Sequence, residues 1–159
     1  MQKVLSVLLF FFLITSTYSQ DKTITGVEVL GIKKTKLSSI TSLLKTKKGT
    51  VLDTVVLKND IKKLQKLPAI AHAYYQISNS KANSCTVLIH VEENKTIIPN
   101  LNIWTTTNKK LAYKIGLYDY NFLGRNITFG GFYQNNGYHS YGVNLIAPYL
   151  FSSKFGLAL

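Results

Sequence analysis

The sequence predicts an α+β module of order β-α-α-β-β, followed by the antiparallel β-strands of an incomplete transmembrane β-barrel. Three observations predict it. Apolar residues recur at helical spacing in two stretches between Leu37 and Leu67, and alternating runs flank those stretches. From Leu111 onward the period becomes two, with an aliphatic and aromatic face opposite a polar, Gly-rich one. Charge shifts as well: the chain of 159 residues carries 19 Lys+Arg against 7 Asp+Glu, a formal +12. Beyond residue 100 the charged residues are only Lys109, Lys110, Lys114, Asp119, Arg125 and Lys154. The change in composition at Pro99-Asn100 marks the boundary, giving a module over 20–98 and barrel strands over 100–159.

Residues 1–19 precede both. Met1-Gln2-Lys3 places one cation before the apolar run Val4–Ile14, which is shorter than the ~20 residues a membrane helix needs. Small and polar residues follow, with Thr17-Tyr18-Ser19 before Gln20 as a cleavage site. The segment reads as a secretory signal peptide.

Within the module, Ile24–Ile32 alternates around Val27, Val29 and Leu30 and reads as the first strand. Leu37, Ile40, Leu43 and Leu44 form one helical face, closed by Lys45, Lys47, Lys48 and Gly49. Asp53 is placed as the N-cap of a second helix, and Leu52 and Leu57 as a hydrophobic staple. The buried stripe of that helix is Val56, Leu57, Ile61, Leu64 and Leu67, its wet face is Lys58, Lys62, Lys63 and Lys66, and Pro68 ends it. Ile70–Ile77 is the second strand, Asn79–Asn83 a turn, and Cys85–Val91 the third strand.

In the second region, Leu111, Tyr113, Ile115 and Leu117 share one face of a strand, with Ala112, Lys114 and Gly116 on the other. Ile127, Phe129 and Tyr133 oppose Thr128, Gly130 and Gln134. Tyr141, Val143, Leu145 and Ala147 oppose Ser140, Gly142 and Asn144, and Phe155, Leu157 and Leu159 begin another alternation. Asn135-Asn136-Gly137 signals a tight turn, and Asn108-Lys109 another. About ten residues per strand suits a tilted membrane crossing. A soluble antiparallel sandwich alternates in the same way; the aromatic and aliphatic outer face and the scarcity of charge favour lipid.

Several functions are excluded or unsupported. One cysteine, Cys85, allows neither a disulfide framework nor a Cys-based zinc site. No Gly-x-Ser-x-Gly elbow or dinucleotide loop is present, and Asp119 is the only acid after Glu93, so the barrel region offers no carboxylate pair; no enzyme activity and no cofactor is expected. The lysines suit a solvated helix face near anionic lipid headgroups better than nucleic acid, which an exported protein seldom meets.

Two sets of motifs resemble known families. Gly31-x-x-x-Thr35, Gly49-x-x-Leu52-Asp53, Asp60-x-x-x-Leu64-x-x-Leu67 and Val87-x-Ile89-x-Val91-Glu92-Glu93-Asn94 resemble a POTRA domain, the periplasmic module of outer-membrane barrel proteins. Asn121-Phe122-Leu123-Gly124 resembles the Asn-Phe-x-Gly turn after the first barrel hairpin in the BamA-like and TamA-like assembly superfamily (bacterial surface antigens), and the two motifs occur in that family's order. The resemblance implies a bacterial outer-membrane protein whose POTRA module sits in the periplasm. It would bind unfolded outer-membrane protein clients, or periplasmic partner proteins, by strand addition, while its barrel contacts outer-membrane lipid. The expected edge is Ile70, Ala71, His72, Ala73, Tyr74, Tyr75, Gln76 and Ile77; Asn121, Phe122 and Gly124 form the turn motif. Two alternatives stay open: an anchor or secretion pore for another domain, such as a patatin-like lipase, and a soluble periplasmic binding protein. The smallest membrane barrels need eight strands, more than residues 100–159 supply, so the sequence reads as part of a longer barrel protein.

Overall fold

The computed structural model describes residues 22–81, 83–152 and 155–159; the segment read as a signal peptide lies outside them. The first unit consists of β1 (Thr23–Leu30), α1 (Leu37–Thr41), α2 (Thr54–Gln65), β2 (Ile70–Lys81) and β3 (Ser84–Glu93). Its three strands lie in the order β1-β3-β2. β1 runs parallel to β3, from Thr23 opposite Ser84 to Leu30 opposite His90, while β2 runs antiparallel to it. Central β3 alternates along its length and buries Cys85, Val87, Ile89 and Val91. Against them pack Ile24 of β1, Ile40, Leu43 and Leu44 of the α1 segment, and Leu57, Ile61 and Leu64 of α2. One face of the sheet is thus covered by helices, as a single apolar face requires.

Local chemistry explains where the helices begin and end. The Asp53 carboxylate accepts from the amides of Val55 and Val56 at 2.7 and 3.1 Å and so caps α2. α1 is shorter than the apolar spacing predicts, ending at Thr41, and Leu37 of the expected stripe is 51% exposed. The Thr41 hydroxyl donates back to the Leu37 carbonyl and the Ser42 hydroxyl to that of Ser39, and such back-bonding competes with helix propagation. Leu43 and Leu44 still reach the core through tight turns onto the carbonyls of Ile40 and Thr41. The turn expected at Asn79–Asn83 begins later, because β2 keeps its ladder with β3 as far as Lys81 opposite Ser84.

The second unit is a five-stranded antiparallel meander, β4 (Ile97–Thr105), β5 (Leu111–Phe122), β6 (Ile127–Asn135), β7 (His139–Ser152) and β8 (Phe155–Ala158), in sequential order. Among the described residues it is an open sheet, not a closed barrel. β4 runs straight through Pro99-Asn100, so the shift in composition falls inside a strand. An edge strand tolerates Pro99 because a missing amide on its free side breaks no ladder bond. The loops hold the expected turn residues: Lys109 adopts φ 59° between β4 and β5, and Gly137 adopts φ 104° between β6 and β7, its amide donating to the Asn135 side chain.

The two faces of this sheet differ. On one, register stacks Leu101, Ile115, Tyr133 and Tyr141 across four strands, and Leu101 and Val143 are more than two-thirds exposed. On the other, three glycines lie opposite rings: Gly130 opposite Tyr118, and Gly116 and Gly142 both opposite Phe132. A Cβ on Gly130 or Gly142 would collide with those rings. Lys114 Nζ lies 3.6 Å from the Phe132 ring centroid, a cation–π contact.

Candidate functional site

Two features of the first unit bear on function: the outer edge of β2 and the joint that fixes this unit to the second sheet. Among the described residues β2 pairs only with β3. The predicted edge residues therefore lie on a border strand, with Ile70 and Ala73 buried, Tyr75 and Ile77 packed against the core, and Ala71, His72, Tyr74 and Gln76 exposed. Register slips between Ile70 and His72, which leaves Ala71 unpaired. The Ala73 carbonyl turns away from β3 and accepts from the Gln65 amide at 2.9 Å. Antiparallel ladders alternate by residue, so Tyr75 and Ile77 turn their backbone groups to the same side. On the exposed sheet face the Tyr74 ring stacks on His90 at 4.6 Å, and His90 reaches Gln76 at 3.1 Å.

The turn motif lies at the joint, where it does more than reverse the chain. Asn121, 1% exposed, donates from Nδ2 to the Thr35 hydroxyl at 2.9 Å, and its Oδ1 accepts from the Asn126 amide at 2.9 Å. The Gly124 carbonyl accepts from the Lys36 amide at 2.8 Å. Gly124 has φ +70°, and a Cβ there would run into the Lys34 carbonyl oxygen. Leu123 and Asn126 also hold positive φ, so the turn is tightly wound. Phe122 does not join this contact; its ring packs 4.8 Å from that of Phe129.

Sequence reasoning missed the charged groups that complete the joint. Lys34 Nζ lies 2.9 Å from Asp119 Oδ2 and donates to the Thr96 hydroxyl at 3.1 Å. Thr96 in turn donates to Asp119 Oδ1 at 2.8 Å, and the Asn121 amide donates to the same oxygen at 3.0 Å. Glu93, at the end of β3, accepts from the amides of Lys34 and Thr35 at 2.9 and 2.8 Å. Burial alone would raise the Glu93 carboxyl, but those hydrogen bonds outweigh it and hold the group below its ordinary value of 4.5. These residues anchor the 31–36 loop from both sides. The motif Gly31-x-x-x-Thr35 marked the loop, but gave no sign that Thr35 meets Asn121.

Among the described residues no three His, Cys, Asp or Glu side chains group so as to hold a metal ion, and no helix is long and apolar enough to cross a membrane, which says nothing of a β-barrel.

Two solved structures share this architecture. BamA from Haemophilus ducreyi lacking POTRA domains 1–3 superposes with a TM-score of 0.77 at 16% identity, covering 86% of this chain and 26% of that one. CdiB from Acinetobacter baumannii superposes with a TM-score of 0.57 at 13% identity, covering 80% of this chain and 26% of that one. The chain thus spans about a quarter of each of these two structures, and its fold is that of a partial BamA-type barrel with the unit before it. No protein-family model and no curated protein matches the sequence.

Proposed function

We propose that this chain belongs to an outer-membrane assembly or translocation factor, in which a POTRA module in the periplasm offers the β2 edge to extended segments of client or partner proteins. The observation that carries this reading is a border strand with unpaired backbone groups, held by a polar joint against a two-faced sheet of BamA-like fold. The strand edge recognises backbone rather than side chains, so clients of many sequences fit. Tyr75 and Ile77 supply donors and acceptors on the free side, and the unpaired Ala71 widens the entry.

The second sheet is the membrane part of the proposal. Its exposed aliphatic and aromatic face turns to lipid, and the Gly and aromatic face turns inward. Unpaired backbone at an edge costs several kcal/mol per group in hydrocarbon, so β4 and β8 require further strands on either side. The role is binding and positioning, without catalysis or cofactor.

The test combines fractionation with strand-edge chemistry. The full chain is expected in the outer-membrane pellet and released only by detergent. A photo-crosslinker at Ala71 is expected to capture extended client peptides. Tyr75→Pro, which removes an outward amide, is expected to abolish that capture, whereas Tyr75→Ala, which removes only the ring, retains it. Equal capture by both variants, with native circular dichroism, would overturn the strand-addition reading.

A further inference from the structure

We propose that the lysine face of α2 is a docking site for the phosphate-bearing headgroups of an anionic membrane surface. A groove of about 380 Å³ runs between α2 and the segment after α1, lined by Lys45, Val56, Asn59, Lys62, Lys63 and Lys66. The one carboxylate beside it is already committed. Asp60 is fully buried, takes the amides of Lys45 and Thr46 at 2.8 Å each, and binds Lys63 Nζ at 3.1 Å. Lys45, Lys62 and Lys66 are exposed and enter no ion pair among the described residues. Lys58, Lys62 and Lys66 also stand four apart along α2, a like-charge spacing that destabilises a helix. A bound polyanion removes that repulsion.

The chemistry of the groove favours a lipid surface over other anions. It holds no aromatic side chain: a base would need one to stack on, and protein hot spots are rich in them. Lysine is a compact point charge that suits phosphate without demanding fixed geometry. The groove is open, so a single phosphate meets few partners at once, whereas a surface of headgroups engages several lysines together. This inference rests on the membrane-crossing reading of the second sheet, which puts the first unit beside a bilayer.

The test uses the full chain with vesicles of phosphatidylcholine, alone or with phosphatidylglycerol added. Binding to neutral vesicles tests the membrane-crossing reading; the ratio of anionic to neutral binding tests this one. At low salt the ratio is expected to be about tenfold or more, from roughly 1 kcal/mol per lysine near an anionic surface, and to fall as salt rises. Lys45→Gln, Lys62→Gln and Lys66→Gln together should bring it close to one. Lys95→Gln, Lys109→Gln and Lys110→Gln remove the same charge from exposed positions elsewhere and should leave most of it. Both triple variants should keep the parent's circular dichroism. A ratio near one for the parent chain, or equal loss in both variants, would overturn the proposal. Release from vesicles by millimolar inorganic phosphate at matched ionic strength would assign the groove to free phosphate instead, and release by poly-glutamate to an acidic protein; either result overturns the assignment to a membrane.

Discussion

Replacing Gly124 with alanine isolates the joint between the two units. Gly124 has φ +70°, and besides the Lys34 carbonyl oxygen its new Cβ would lie 3.2 Å from the Lys36 nitrogen and 3.3 Å from the Lys34 carbonyl carbon. The left-handed backbone costs alanine about 1–2 kcal/mol. The collision also pushes the turn off the 31–36 loop and loses the hydrogen bond from Lys36 to Gly124, worth about 0.5–1.5 kcal/mol. The total is roughly 1.5–3.5 kcal/mol. Gly49→Ala and Gly137→Ala are the controls: they have φ +86° and +104° but no atom within 4 Å, so they incur only the backbone term. Urea unfolding of the refolded chain, read from Trp104 fluorescence, should therefore show Gly124→Ala losing about 0.5–1.5 kcal/mol more than either control. Amide exchange at Lys36 should accelerate about 2–13-fold in Gly124→Ala alone. If Gly124→Ala matches the controls and Lys36 exchange is unchanged, the close approach of turn and loop is wrong.

Two further outcomes follow from the carboxylates. Glu93 sits below its ordinary value of 4.5 when folded, so the stability it contributes is complete above that ordinary value and is lost as pH falls through the lower folded value. Denaturant midpoints measured down through that acid range should decline more steeply for the parent chain than for Glu93→Gln. Asp60→Ala strands the buried amides of Lys45 and Thr46 and frees Lys63; it should cost about 2–4 kcal/mol, with Asp60→Asn retaining part of the loss, as measured by urea unfolding.

Features set by neighbours in sequence were legible. The Asp53 cap depends on amides two and three residues ahead, and the two faces of β5 follow from alternation at Leu111–Leu117. Features set by distant partners were not. Asn121 reads as a turn residue, yet its side chain is spent on Thr35, 86 positions away, and Asp119 meets Lys34 across 85. Asp60 stood in the sequence only as the first residue of the Asp60-x-x-x-Leu64 motif, and nothing nearby in sequence says that two amides of another segment converge on it. The length of α1 lay between these cases: its serines and threonines were visible, but the apolar spacing hid their competing bonds. The strand motif of Ile70–Ile77 identified a strand, whereas its border position depends on β1 inserting beside β3 rather than beside β2.

That parallel pairing of β1 with β3 sets an order of events during biogenesis. β2 and β3 meet through a short hairpin, but Thr23 must wait for Ser84 and Leu30 for His90, and distant pairings form slowly because loop closure precedes any reward. A chain made from its amino end delivers β1 well before its partner β3. The opening strand therefore waits without a mate while the helices are made, and shielding by a holdase during that interval should raise the yield of folded protein.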